Sequence, residues 1–173
     1  MLTGEKSTFA MECDICGKAE GFIFCHFRFW IMDSPIGDWA EESVLGVLAH
    51  SAGVISKYQG NRHLPQADNL SAIDLWEHVT KICDSDDPMD LHISLEGRYH
   101  QKFLLHELAD DAVATVCEVI VIERSDGIQL LLWKNRGEQH VNEIDLPKLT
   151  VDNAISTFID WAKQQANAGV GSR

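Results

Sequence analysis

The residues best suited to chemistry lie near the start of the chain, where Cys13-x-x-Cys16 is followed by Cys25-His26. Four thiolate or imidazole donors that converge tetrahedrally make a structural zinc site, so Cys13, Cys16, Cys25 and His26 form the first candidate metal set. The surrounding pattern argues against it. Phe9, Met11, Cys13 and Ile15 alternate with Glu12 and Asp14, the period of an extended strand, in which residues three apart or adjacent point to opposite faces. Cys13 then turns away from Cys16, and Cys25 from His26, so the expectation is core thiols and no bound metal.

Nucleophilic chemistry fares no better. Cys25, Cys83 and Cys117 sit in apolar runs, where burial raises a thiol's pKa and blocks access, and no nucleophile elbow surrounds any of them. His92, His100 and His106 fall on neighbouring predicted strands, but His100 and His106 are separated by about 20 Å of extended chain, too far for one ion. Phosphate-loop, dinucleotide and zinc-protease motifs are absent. Asp86-Asp87 and Asp110-Asp111 read as solvated faces rather than acid/base dyads. The expectation is a protein with no catalytic residue and no cofactor.

The elements that must position these groups follow from periodicity. A strand over 8–16 and a second over 22–32 form a hairpin, the second placing Ile23, Cys25, Phe27, Phe29 and Ile31 on one apolar face. Ser34 to Asp38 is a turn, with Asp38 and Glu41 placed to cap a helix over 41–57 that carries Val44, Leu45, Leu48, Ala52 and Ile55. Residues 59–69 read as a loop. A second helix begins at Ser71, with Asp74 as its N3 partner and Ile73, Trp76, Val79 and Ile82 as its apolar stripe. Strands over 91–95 and 99–108 come next, then a strand over 116–123 that is apolar on both faces and so reads as central and covered on each side. Asp126-Gly127 favours a hairpin turn into a strand over 128–133, and a weaker strand spans 141–146. The last helix starts at Thr150, with Asp152, Asp160 and Lys163 facing out. Sequential strands with helices set between and after them predict an α+β fold, mostly antiparallel sheet with about three helices packed against it. One domain over 1–166 and a flexible tail over 167–173 are expected.

Composition narrows the partners. Among 173 residues, 27 Asp and Glu against 14 Lys and Arg give a formal charge of −13, a field that disfavours direct binding to nucleic acid or an anionic membrane and favours a basic partner. Glu5, Lys6, Glu12 and Asp14 interrupt any apolar leader, and the most apolar stretch, over 21–32, falls well below the roughly 20 residues a spanning helix needs. Five cysteines at irregular spacing point to reduced thiols, and hence to the cytoplasm. Oligomeric state is not encoded in any pattern.

Phe27-Arg28-Phe29-Trp30-Ile31, Ile36-Gly37-Asp38-Trp39, Phe103-Leu104-Leu105-His106-Glu107-Leu108-Ala109-Asp110-Asp111-Ala112 and Leu131-Leu132-Trp133 together resemble the immunity proteins of bacterial polymorphic toxin systems, in particular immunity protein family 42. The similarity runs from about Phe22 to Leu146 and leaves out Cys13-x-x-Cys16. It implies a non-catalytic inhibitor, made in the cytoplasm beside a toxin gene, that protects the producing cell by binding the toxin domain. A basic toxin site would be drawn to carboxylates, while affinity needs desolvated anchors. Trp39, beside Asp38, Glu41 and Glu42, is either such an anchor or a core tryptophan at a helix start. Asp84, Asp86, Asp87 and Asp90, with Asp110 and Asp111, are further carboxylates for partner contact, the plain alternative being solubility. A zinc-stabilised regulatory or adaptor module built on the N-terminal cysteines is the rival reading.

Overall fold

The computed structural model describes residues 1–84 and 102–168, and within them the side chains of all residues but Gln66, Asp84, Asp110 and Asp111. The long hairpin forms as its alternation requires: β2 (Phe9–Ala19) pairs antiparallel with β3 (Phe22–Ile31). An additional strand, β1 (Leu2–Glu5), pairs with β2, and β3 is flanked by β4 (Ser34–Ile36) and β5 (Glu42–Val44), which completes a five-stranded sheet. Cys25, Phe27, Phe29 and Ile31 of β3 are buried, with Phe9, Met11 and Cys13 of β2 beside them.

The predicted turn and cap resolve differently. Residues 34–36 are extended, and Asp38 accepts from the backbone N–H of Ala40 at 2.9 Å in a local turn rather than capping a helix. Glu42–Val44 is strand, so α1 starts later, at Leu45, and runs to Ile55 with no side-chain cap. Pairing with β3 outcompetes the first helical turn because Val44 is β-branched and Glu41 has no cap to complete. Leu45, Leu48, Ala52 and Ile55 form the buried stripe as expected.

Helix α2 (Ala72–Asp84) is capped as predicted, Ser71 Oγ accepting from the Asp74 backbone N–H at 3.3 Å. Its buried stripe is Leu75, Trp76, Val79 and Cys83, however, and Ile73 is exposed. The i, i+4 rows that run through Leu75 and Trp76 face the second sheet, which rotates Ile73 outward. The predicted strand over 91–95 and residues 99–101 of the next lie outside the described residues, as do His92 and His100. The described remainder of that second strand is not extended: Leu105–Ala109 is a 3-10 turn followed by a π turn, Asp110–Ala114. Leu105, Leu108 and Ala109 are buried at three- and four-residue intervals, a helical period that the alternation seen in sequence obscured.

The second sheet contains β6 (Cys117–Glu123), β7 (Gln129–Asn135) and β8 (Asn142–Leu146), all antiparallel, in the order β6-β7-β8. Gly127, at φ +83°, supplies the left-handed turn between the first two. Strand β6 is covered on both faces as its composition predicts, but it is an edge strand rather than a central one. Its open edge is occupied by single bridges from His63 and Leu104, and by His106, whose Nδ1 accepts from the Val119 N–H at 3.0 Å.

Helix α3 (Thr150–Ala168) packs with α1 beneath the first sheet. The larger core joins that sheet's inner face to α1, α3, residues 105–113 and the Val119, Val121 and Leu131 face of the second sheet. A smaller core lies beyond it, between Ile120, Ile122, Leu130 and Leu132 and helix α2. The architecture is α+β as expected, with two sheets in place of one. Asn167 and Ala168 continue α3, and 169–173 lie outside the described residues. No described helix is long and apolar enough to cross a membrane.

Candidate functional site

The outer face of the first sheet is built by strand register. Glu12 stands opposite Arg28, Asp14 opposite His26, and His26 in turn opposite Glu42, so every second residue of β3 adds a polar or aromatic group to one surface. The Arg28 guanidinium donates from Nε to Glu12 Oε2 at 2.7 Å, with Nη2 at 2.7 Å from the same oxygen. Trp30 Nε1 donates to that oxygen at 2.8 Å. Lys6 Nζ stands 3.7 Å from Glu12 Oε1 and 3.7 Å above the Trp30 ring. Arg28 lies 4.7 Å from the Trp30 ring and 4.2 Å from that of Trp39, and Trp39 packs on the His26 imidazole with centroids 5.7 Å apart. Lys6, Trp30, Arg28, Trp39 and His26 therefore form a continuous cation–aromatic ladder.

Desolvation pushes the Glu12 carboxyl up, but the hydrogen bonds from Trp30 and Arg28, together with the Arg28 and Lys6 charges, outweigh it and hold the group below its usual range. Gly37 lets the chain cross this face. Its φ of +130°, and the space for a Cβ only 3.0 Å from the Ala112 carbonyl and 3.3 Å from Arg28 Cβ, admit glycine alone. The next residue, Asp38, donates its N–H to that carbonyl at 2.6 Å, which pins the segment and sets Trp39 over Arg28.

Trp39 is thus half-buried on the outer face and is not a core tryptophan. Asp38, Glu41 and Glu42 are exposed around it. The other carboxylates are not gathered here by any described contact: Asp84 closes α2, and Asp110 and Asp111 begin the π turn behind Gly37, while Asp86, Asp87 and Asp90 lie outside the described residues.

The four candidate metal donors do not converge. Cys13 and Cys25 are buried in the core, whereas Cys16 and His26 face out. Two of the buried thiols are poor nucleophiles: a hydrogen bond with Cys25 and burial raise Cys13, and burial pushes Cys117 up to about 11, whereas the hydrogen bond with Cys13 lowers Cys25, which is enclosed in the core. Cys16 is raised by desolvation and by the nearby Glu42 carboxylate.

Sequence reasoning missed a second polar assembly. Arg62, in the predicted loop, is 0% exposed. Its Nη1 donates to Asp152 Oδ1 at 2.5 Å, Nε to the Lys102 carbonyl at 2.9 Å and Nη2 to the Ile55 carbonyl at 2.8 Å. Asp152, expected to face solvent, is 1% exposed and also accepts from Gln129 Nε2 at 2.7 Å. Gln129 Oε1 in turn accepts the Val151 N–H at 2.9 Å. The available signal was weak: an acidic residue in the first turn of α3, flanked by apolar Val151 and Ala154.

A groove of about 820 Å³ opens at the far end of the β2–β3 hairpin, between it and the helices α1 and α3, and Phe22 at its rim is 54% exposed.

The comparisons with known proteins agree with this architecture. A crystal structure of CdiI from Burkholderia dolosa AUO158 superposes with a TM-score of 0.70 at 15% identity, covering 93% of this chain and 99% of that one, and so shares the fold. No curated protein matches the sequence. The family described as Immunity protein 42 matches residues 1–161, a span that takes in the Cys13-x-x-Cys16 segment left out of the sequence resemblance. The chain belongs to the Immunity protein 42 family.

Proposed function

We propose that this immunity protein neutralises its cognate toxin without catalysis, by stoichiometric docking through the outer face of the first sheet, in the cytoplasm of the producing cell. Family membership carries the toxin-neutralising role. The contact face rests on one observation: Trp30, Arg28 and Trp39 are stacked in a fixed ladder, half out of water, with Asp38, Glu41 and Glu42 exposed around Trp39. Tryptophan and arginine are the residue types that dominate binding energy when a partner completes their desolvation, and a ladder ordered before encounter loses little entropy on docking. The surrounding carboxylates favour a basic toxin surface and speed its approach. Asp84, Asp86, Asp87, Asp90, Asp110 and Asp111 add to the net charge of −13 that favours a basic partner.

The test is titration of the toxin encoded next to this gene. Inhibition that ends sharply at one equivalent supports a non-catalytic mode, and turnover of the toxin by substoichiometric protein overturns it. Trp39→Ala should weaken the complex by about thirtyfold or more, corresponding to a loss of ~2 kcal/mol. An unchanged complex with Trp39→Ala, and release with Phe22→Ala, would move the contact to the hairpin groove and sink the outer-face assignment.

A further inference from the structure

Cys16, His26 and Glu42 each offer one ligand atom, and the three atoms lie within 4.8 Å of one another on the outer face. Two separate backbone devices bring them together. His26 and Glu42 are paired directly across β3 and β5. Cys16 occupies the irregular step in the β2–β3 register between Ile15 and Gly17, and an extra residue of this kind re-aims its side chain and recurs beside functional sites. Cys13 and Cys25 take no part, since both are enclosed in the core.

The imidazole is already oriented. A carbonyl oxygen can only accept, so across the 3.4 Å contact between His26 Nδ1 and the Glu41 carbonyl the Nδ1–H tautomer is the one that donates, and that tautomer carries its lone pair on Nε2. Packing against Trp39 holds the ring from its face. A ring N–H on a backbone carbonyl is the usual outer-shell support of a metal-bound histidine.

We infer that Cys16, His26 and Glu42 bind one Zn²⁺ ion per chain, with a fourth position open to solvent. The donor set selects the ion: a thiolate with an imidazole and a carboxylate suits zinc, whereas magnesium and calcium take oxygen ligands. Zinc–ligand bonds of about 2.0–2.3 Å bring donor atoms to roughly 3.5 Å apart, so the contraction required is about an ångström, within reach of the exposed Cys16 and Glu42 side chains. On binding, Cys16 gives its proton to water, a sulfur–zinc bond forms, and the thiolate and the Glu42 carboxylate balance the two positive charges. Arg28 does not compete for Glu42, because its guanidinium is held by Glu12.

Titration of the reduced full-length protein with Co²⁺, followed by Zn²⁺, tests the site. One equivalent of cobalt should produce a thiolate-to-metal absorption band that one equivalent of zinc abolishes. Cys16→Ser should remove the band, and His26→Ala and Glu42→Gln should each weaken binding by at least about tenfold. All three side chains lie on the outer face, and an unchanged melting temperature of the metal-free variants shows that the fold is kept. Absence of saturable binding at micromolar metal, or a band that survives Cys16→Ser, overturns the proposal. The measurement involves no toxin, so inhibition by a protein that binds no zinc would refute this site and leave the docking proposal standing.

Discussion

Arg62 and Arg28 each hold one carboxylate at hydrogen-bond distance, in opposite surroundings. The Arg62–Asp152 pair is 0% and 1% exposed, and each guanidinium nitrogen has an acceptor. The Arg28–Glu12 pair is 23% exposed at both ends, and the faces of its guanidinium are covered by tryptophan rings rather than by chain. Removing one partner of a buried pair strands a charge in a medium that cannot solvate it, whereas water readily takes over from a lost surface partner. The same chemistry therefore fastens the interior in one place and remains available to a binding partner in the other. Arg62 ties the end of α1, the 59–64 loop, the 102 backbone and the first turn of α3 into one assembly, and Gln129 connects it to β7.

The comparison is broken most severely by Arg62→Met, which leaves Asp152 buried and unpaired. It should lower the unfolding free energy by about 3–5 kcal/mol, read from urea denaturation at constant slope. The double variant Arg62→Met/Asp152→Leu should recover much of that loss, because no charge then remains without a partner. A double variant no more stable than the single one would show that the hydrogen bonds to the Ile55 and Lys102 carbonyls, not the ion pair, dominate the site.

A smaller effect is expected from Gln129→Leu. It deprives Asp152 of one donor and the Val151 N–H of its acceptor, for about 1–3 kcal/mol, in the same denaturation assay. Arg28→Ala belongs at the other pole: stability should change by less than about 1 kcal/mol, while toxin affinity falls by roughly tenfold or more as Trp30 and Trp39 lose their common support. Calorimetry of the complex alongside urea melts of the free protein separates the two readouts.

The subtlest distinction is one of pH. The folded-state pKa of Glu12 lies below its unfolded value, so the unfolded chain binds more protons in the window beneath about 4.5, and stability contributed by Glu12 is present above that window and fades as pH falls through the folded pKa. Glu12→Gln should therefore flatten the loss of stability between pH 5 and pH 3 by a small amount, measured as the shift in melting temperature against wild type. An identical acid profile in both proteins would mean that the ladder stands without the Glu12 charge.

Much of the framework was legible in the sequence because it depends on neighbours along one element. Alternation over 22–31 put Cys25, Phe27, Phe29 and Ile31 in the core, and that same alternation separated Cys13 and Cys25 from Cys16 and His26. Ser71 and Asp74 announced the start of α2, and Asp126-Gly127 the second hairpin. The family was legible too, since motifs such as Phe27 to Ile31 and Ile36 to Trp39 encode the strand and the crossing that carry the ladder.

What the tertiary structure alone decided were the meetings between elements. Asp152 reads as a solvated helix residue until Arg62, ninety positions earlier, is folded against it. Trp39 was poised between core and surface until Gly37 and the Ala112 carbonyl fixed the path of its segment over Arg28. Cys16 joined His26 and Glu42 only through a register step and a third strand where a helix was expected. Periodicity reports which side of an element is apolar, a local property of side-chain spacing. The partner of a polar group depends on where loops return the chain, and that is settled by the packing of the whole core.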